Sequence, residues 1–265
     1  MPIITLLTDF GQQDGFVGTM KGVILNICPE ATLVDLSHEI SPQHISEAAF
    51  VLRNAYAYFP TATIHVVVVD PGVGSNRQAI LVETSHGTFI GPDNGVFSYI
   101  YNEASDVRVT SITNQAYMLA DVSRTFHGRD IFSPVAAHLA NGVKAEAFGT
   151  RWSDFVKGHV SVPFVRGDRI EGHVLHIDRF GNIITDIPEA MFTSITAQKA
   201  YSIRLGTCIL EQVCESYADV PGGHPMAILS SAGFLEVAVN SGHAARKLGV
   251  ALGDAVIVEG QGPEF

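Results

Sequence analysis

Charge is sparse in this chain, and positive charge most of all. Lys and Arg number 16 against 27 Asp and Glu, a net charge of −11. Nucleic acid backbones are gripped by basic patches, so no nucleic acid partner is expected. Cysteine is scarce as well: Cys28, Cys208 and Cys214 are odd in number and form no C-x-x-C pair. A disulfide framework or zinc ribbon is therefore unsupported, and small buried thiols in a reducing cytoplasm are expected. No apolar run approaches the ~18 to 20 residues of a membrane helix. The opening Met1-Pro2-Ile3-Ile4-Thr5 lacks the basic stretch of a secretory signal. The expectation is a cytoplasmic protein with no membrane partner. The Walker pattern and H-E-x-x-H are missing too, as are internal repeats and low-complexity segments.

What is present is a large apolar inventory, 46% of 265 residues, enough for a substantial core. In the first half two periods alternate. Ile3 to Leu7, Thr32 to Val34 and Thr63 to Val69 read as buried strands, with further strands at Ala79 to Glu83, Thr88 to Ile90 and Val107 to Val109. Gly15 to Ile27, stopped by Pro29, and His44 to Tyr58 carry apolar residues at helical spacing. Helices are also expected near Val96 to Tyr101 and Ile131 to Ala140. This order predicts an α/β N-terminal domain over 1–160, a mostly parallel sheet with helices on both faces. A linker is expected at 161–168. Beyond it, Arg169 to Ile177, Ile183 to Ile187, Ala200 to Leu205, Met226 to Leu229 and Leu235 to Val239 read as strands, with one short helix at His243 to Leu248. The expectation for 169–265 is a smaller all-β C-terminal barrel domain.

Three expected strands end on a carboxylate: Asp9, Asp35 and Asp70. In open parallel sheets ligands bind beyond the C-terminal strand ends, so a shared acidic rim is expected there. Asp70-Pro71-Gly72-Val73-Gly74 is a tight loop, and Arg77 lies close enough along the chain to fold back onto Asp70. His127, between Phe126 and Gly128 before a helix, is placed for acid–base work, with Asp130 read as the helix cap. Gly91-Pro92-Asp93-Asn94-Gly95 reads as structural turn chemistry. In the second half Asp178 and Asn182 flank a Gly turn and could read an adenine edge or an ammonium group. Ser230 to Glu236 offers hydroxyls and N–H groups for a carboxylate.

Together these segments resemble one family. Thr8-Asp9-Phe10-Gly11, the Asp70 loop with Arg77, Gly91 to Gly95, Phe126 to Asp130, Asp178 to Asn182 and Ser231 to Asn240 occur in the order of the S-adenosylmethionine hydroxide adenosyltransferases. These are hydrolase relatives of the fluorinases and chlorinases, and the resemblance runs from Ile4 to about Val258. It implies hydrolysis of S-adenosyl-L-methionine to adenosine and L-methionine, with no cofactor. It also implies a homotrimer whose site lies at the subunit interface. Asp70, Arg77 and His127 match the water-activating triad, with Asp70 or His127 accepting the proton. Asp9 would hold the ribose hydroxyls, Tyr217 stack on adenine, and Asn182 with the backbone near Ser241 read its edge. Asp178 would bind the ammonium and Ser231 the carboxylate, with Glu236 in the same substrate-binding set.

The chemistry fits those residue types. A sulfonium is a good leaving group, so C5′ of the ribose needs a nucleophile rather than a general acid or a metal. The nearest alternative is a halogenase, but a naked halide beside Asp70 would be repelled in a dry pocket. The halogenases carry uncharged residues where Asp70 stands, lack a His at position 127, and carry an aromatic at the place of Gln43. A metal-dependent hydrolase built on Asp9, Asp35, Asp70, His38, His44 and His127 is a second alternative, and a non-catalytic sensor a third.

Overall fold

The computed structural model describes residues 1–197 and 199–261. Residues 262–265, the end of the expected barrel domain, lie outside that range. The chain splits into two compact units, Met1–Val160 and Ser161–Phe265.

The first unit contains β1 (Ile3–Thr8), α1 (Phe16–Ile27), β2 (Thr32–Ser37), α2 (Ile45–Tyr56), β3 (Ile64–Val68), β4 (Ala79–Thr84), β5 (Gly87–Pro92), α3 (Ser98–Glu103), β6 (Arg108–Ile112), α4 (Ser133–Ala140) and β7 (Gly149–Arg151). Every residue of β3 is buried, as its β-branched run IHVVV requires. Alternate side chains point to opposite faces of the sheet. Leu6, Val66 and Val68 pack with Met20 and Ile24 of α1 and Val135 of α4. Leu7 and Val67 pack with Ala48 and Leu52 of α2 and Ile100 of α3.

The sheet order is β2-β1-β3-β5-β4-β6-β7. A mostly parallel sheet was expected, and this is corrected. The ladders β2–β1, β1–β3 and β3–β5 are parallel, whereas β5–β4, β4–β6 and β6–β7 are antiparallel. The reason is local: only Ser85 and His86 separate β4 from β5, and so short a turn can join strands only as a hairpin.

The second unit contains β8 (Phe164–Arg166), β9 (Arg169–Ile177), β10 (Ile183–Pro188), α5 (Glu189–Thr196), β11 (Ala200–Leu205), β12 (Cys208–Leu210), β13 (Val213–Cys214), β14 (Pro225–Leu229), β15 (Phe234–Val239), α6 (Ala244–Leu248) and β16 (Ala255–Gln261). One sheet runs β12-β11-β16-β9-β10-β15-β14-β13, with β8 on β9. It curls into a nearly closed, barrel-like form, β12 near one end lying against β14 near the other. The unit is not all-β as expected. Besides the expected short helix it has α5, whose Phe192 plugs the core beside Ile187 and Val258. The stretch expected as linker carries β8, and β16, which the sequence reading omitted, fills the place between β9 and β11. Among the described residues no helix is long and apolar enough to cross a membrane.

Phe89 of β5 is fully buried against His65, Tyr56 and Phe97, while Tyr58 is 82% exposed. Phe89→Ala should cost the first unit about 3–5 kcal/mol by leaving a cavity, and Tyr58→Ala under about 0.5 kcal/mol. Urea unfolding followed by Trp152, the single tryptophan, reports this unit and checks both values.

Candidate active site

Thr8 of β1 stands opposite Val68 of β3 in a parallel ladder. Asp9 and Asp70 follow those paired ends, so both carboxylates emerge at the same rim. They line a cavity of about 370 Å³ with Phe10, Phe16, Gln43, Phe126 and His127. The three phenylalanine rings meet mutually, centroids 5.3 to 5.7 Å apart, and make its apolar wall. Asp9 Oδ2 accepts the backbone N–H of Gln43 at 2.7 Å. Gln43 is held at φ +65°, a conformation unusual for a side-chain-bearing residue and often found at binding sites.

Arg77 folds back across the Asp70 loop. Its Nε donates to Asp70 Oδ1 at 3.0 Å and Oδ2 at 2.9 Å, and its Nη2 donates to Oδ2 as well. Both side chains are nearly sealed from solvent, 9% and 4% exposed. Gly72 leaves room for this fold-back, since a Cβ there would sit 3.3 Å from Arg77 Cγ. Gly74, at φ +75°, is needed more strictly: a Cβ would lie 2.2 Å from the carbonyl oxygen of Arg124. That close approach brings the 123–127 loop against the Asp70 loop. The third side of the guanidinium packs over the Phe132 ring, 5.3 Å to its centroid.

Arg77 Nη2 also lies 2.8 Å from His127 Nδ1. A guanidinium only donates, so Nδ1 must be the acceptor and the imidazole is neutral, its proton on Nε2. Burial lowers the His127 pKa, the Arg77 charge lowers it further, and Asp70, Asp130 and a Ser123 backbone hydrogen bond oppose them without reversing the shift. That backbone bond favours the protonated ring, so the group concerned is an acceptor, the Ser123 carbonyl.

Asp130 is not the helix cap the sequence suggested. His127 caps a π-helical turn, Gly128–Phe132, that leads into α4, and Asp130 lies inside it. Its fully buried carboxylate turns back to accept the Ser123 N–H at 2.8 Å and Arg129 Nε at 2.6 Å. Burial pushes this carboxyl up, but the Arg129 and Ser123 bonds outweigh it and the net shift is downward.

The second unit has its own cavity of about 550 Å³, lined by Asp178, Phe180, Asn182, Tyr217, Asn240 and Ser241 among others. Asp178 accepts the backbone N–H groups of Phe180 and Asn182 and the Asn182 amide, which fixes the turn. Tyr217 donates to Glu236 Oε1 at 2.8 Å. Burial and that bond push the Tyr217 phenol up to about 12. Burial raises Glu236, the Tyr217 bond lowers it, and the Asp178 charge adds to the rise, which prevails. Ser241 is at φ +54°, so the two described residues other than glycine with positive φ each line the cavity of their own unit. Ser231 lies on the exposed turn between β14 and β15 and is not among the lining residues.

Some expected members fall elsewhere. Asp35 is inside β2, not at its end, and binds Lys21 at 2.6 Å and His38 Nε2 at 3.0 Å. His38 then reaches Thr8 Oγ1 through Nδ1 at 2.9 Å, bracing β1 from behind the cavity. His44 caps α2 by accepting the Glu47 N–H. Asp93 binds the Trp152 indole and the Val156 N–H, the structural role expected of its turn. Among the described residues no three His, Cys, Asp or Glu side chains converge as metal ligands. Gln43, singled out against the halogenases' aromatic, does line the cavity, whereas the aromatic wall and the Ser123–Asp130 contact have no counterpart among the expected features. The last had a faint signal, a serine seven residues before an aspartate across the His127 loop.

Residues 4–149 match the SAM hydroxide adenosyltransferase N-terminal domain and residues 172–257 the corresponding C-terminal domain. The chain belongs to the SAM hydroxide adenosyltransferase family. It is 36% identical to an (R)-S-adenosyl-L-methionine hydrolase of Salinispora tropica over 264 residues, 97% of each chain. It is 25% identical to a fluorinase of Nocardia brasiliensis, again over 97% of each chain. Among solved structures, an uncharacterized conserved protein from Thermotoga maritima superposes with a TM-score of 0.91 at 37% identity, covering 96% of this chain and 99% of that one. The family's two domains thus coincide with the two units that carry the two cavities.

Arg77→Met should raise the pKa of His127, because the charge that opposes ring protonation is gone while burial remains. An NMR titration of the histidine ring protons checks this. A midpoint unmoved or shifted down would mean the contact carries no electrostatic weight.

Proposed function

We propose that this chain hydrolyses S-adenosyl-L-methionine to adenosine and L-methionine, acting as a homotrimer without a cofactor. The observation that carries the reading is the Asp70–Arg77–His127 triad, its ion pair nearly sealed from solvent, at the same cavity as Asp9 in a member of this family. In the proposed trimer the N-terminal unit of one subunit and the C-terminal unit of its neighbour complete one site. Asp9 holds the ribose hydroxyls and Tyr217 stacks on adenine. Asn182 and the backbone at Ser241 read the adenine edge. Asp178 binds the methionine ammonium and Ser231 its carboxylate. Glu236 acts through Tyr217, whose hydroxyl it holds. The three free cysteines fit a cytoplasmic setting.

The triad's chemistry follows from its donors and acceptors. His127 Nδ1 accepts from Arg77 and the proton of the neutral ring sits on Nε2, so His127 has no lone pair left for a second proton. Asp70 is therefore the acceptor. Water, oriented by the carboxylate, attacks C5′ in line with the departing sulfur. The C5′–O bond forms, the C5′–S bond breaks, and its electron pair leaves with the thioether of methionine. The water proton passes to Asp70, and Arg77 steadies the charge on the carboxylate until that transfer.

The halogenase reading is disfavoured by the same geometry. A halide at C5′ would sit beside the Asp70 carboxylate, whose charge Arg77 only balances. The reaction in ¹⁸O-water with chloride and chelator present, analysed by mass spectrometry, tests the proposal. Adenosine labelled at the 5′ oxygen, with free methionine, supports it. 5′-Chloro-5′-deoxyadenosine would move the chain to the halogenases, and tight binding without turnover would make it a sensor. Asp70→Asn and His127→Ala should keep ligand binding within about threefold and lose at least about 100-fold in kcat. Full activity in both would remove the triad from the mechanism.

A further inference from the structure

We propose that Asp130 and Ser123 form a clamp that holds the His127 imidazole in register with Arg77, making Asp130 a positioning residue for the reaction. The inference rests on the triad reading given above.

The geometry is a continuous line of contacts. The buried Asp130 carboxylate accepts the Ser123 N–H. The backbone of that same residue faces the His127 ring and favours its protonated form. The ring's Nδ1 accepts from Arg77, and Arg77 grips Asp70. Fixing Ser123 at its N–H fixes the start of the loop that ends on the imidazole. The rest of the loop is tied to the same point. Ser123 Oγ accepts the Phe126 N–H at 3.0 Å, the Phe126 carbonyl accepts the N–H groups of Arg129 and Asp130 at 3.1 Å, and the Leu119 N–H reaches the Asp130 carbonyl at 2.9 Å.

The π-helical turn explains the position. An α-helical start would leave the carboxylate at position 130 on the helix surface as a cap. The wider turn draws it inward beneath the loop, where it is fully buried. A buried carboxylate is costly unless its oxygens are satisfied, and here a backbone N–H of the His127 loop is one of the partners that satisfy them. The loop cannot shift without exposing that cost, so the triad is held by a penalty for leaving it.

The charges facing His127 are Arg77 and Asp70 from the loop after β3, Asp9 across the cavity, and Asp130 from its own turn, with Arg129 paired to Asp130. Asp130 and the Ser123 carbonyl both favour ring protonation. Loosening the clamp therefore moves the His127 titration downward. A residue that merely filled the core would leave it in place.

The test is Asp130→Asn in the intact enzyme, with kcat and KM for S-adenosyl-L-methionine and an NMR titration of His127. We expect kcat to fall about tenfold, KM to stay within about twofold, and the His127 midpoint to move to lower pH. Wild-type kcat with an unmoved midpoint would overturn the clamp. Should this variant fail to fold, amide hydrogen exchange in the wild-type enzyme reads the clamp directly. The Ser123 N–H should exchange at least about 100-fold more slowly than an open loop amide, and exchange at the open-loop rate would overturn the clamp equally. If His127→Ala were itself fully active, the triad reading would fall. If it were inactive while Asp130→Asn matched wild type, the clamp alone would fall.

Discussion

The Arg77 guanidinium is the part on which the site depends. It joins a carboxylate to an imidazole in a nearly water-free place, and each neighbour takes its state from that contact. Asp70 accepts from it at both oxygens, and His127 stays neutral because its Nδ1 must accept. Such a pair is a poor device for stability. Taking two charges out of water costs several kcal/mol per ion before their attraction offsets it, and apolar residues of equal volume often serve a fold as well or better. The loop glycines point the same way, since Gly72 and Gly74 give up backbone order to let the pair form and the second loop close on it. The arrangement makes sense as machinery for moving a proton.

The charge balance of the two cavities suits the proposed substrate. Asp70, Arg77 and a neutral His127 sum to zero, leaving Asp9 as the net charge among the groups at that rim. Asp178 and Glu236 put further carboxylates at or beside the second cavity. A sulfonium nucleoside with an ammonium group meets negative potential at both, whereas a bare halide meets it too and is repelled. Tyr217 is a neutral phenol throughout the physiological range, so it can offer adenine an uncharged ring face while Glu236 holds its hydroxyl.

Much of the scaffold was legible in the residues because burial writes a period into the sequence. TIHVVVV could only be a central strand, and the apolar spacing of α1 and α2 fixed their faces. What escaped was governed by contacts between distant segments. The antiparallel half of the first sheet turns on a two-residue hairpin at Ser85-His86, a detail that strand composition does not encode. Asp35 looked like Asp9 and Asp70 along the chain, but β2 runs three residues past the expected Val34, and the Asp35 side chain meets Lys21 and His38 instead. Asp9, Asp70, Arg77 and His127 were readable because each sits at a strand end, a Gly loop or a helix junction. The Ser123–Asp130 contact was not, because an aspartate three residues after a histidine at a helix start looks like an ordinary cap, and only the π-helical turn shows otherwise.

That turn also bears on why the two loops act as one object. A loop carrying a catalytic histidine is ordinarily among the more mobile parts of a domain. Here it is held from three directions: Gly74 against the Arg124 carbonyl, Arg77 against Nδ1, and Asp130 against the Ser123 N–H. Two of these contacts tie it to the Asp70 loop and the third ties it to the π-helical turn that follows it. In-line attack by water leaves little geometric tolerance, because the nucleophile is small and nothing but its hydrogen bonds aims it. A rigid acceptor is then worth more than a strongly basic one. That ordering suits the proposed reaction, in which the His127 imidazole is spent on alignment and the Asp70 carboxylate takes the proton.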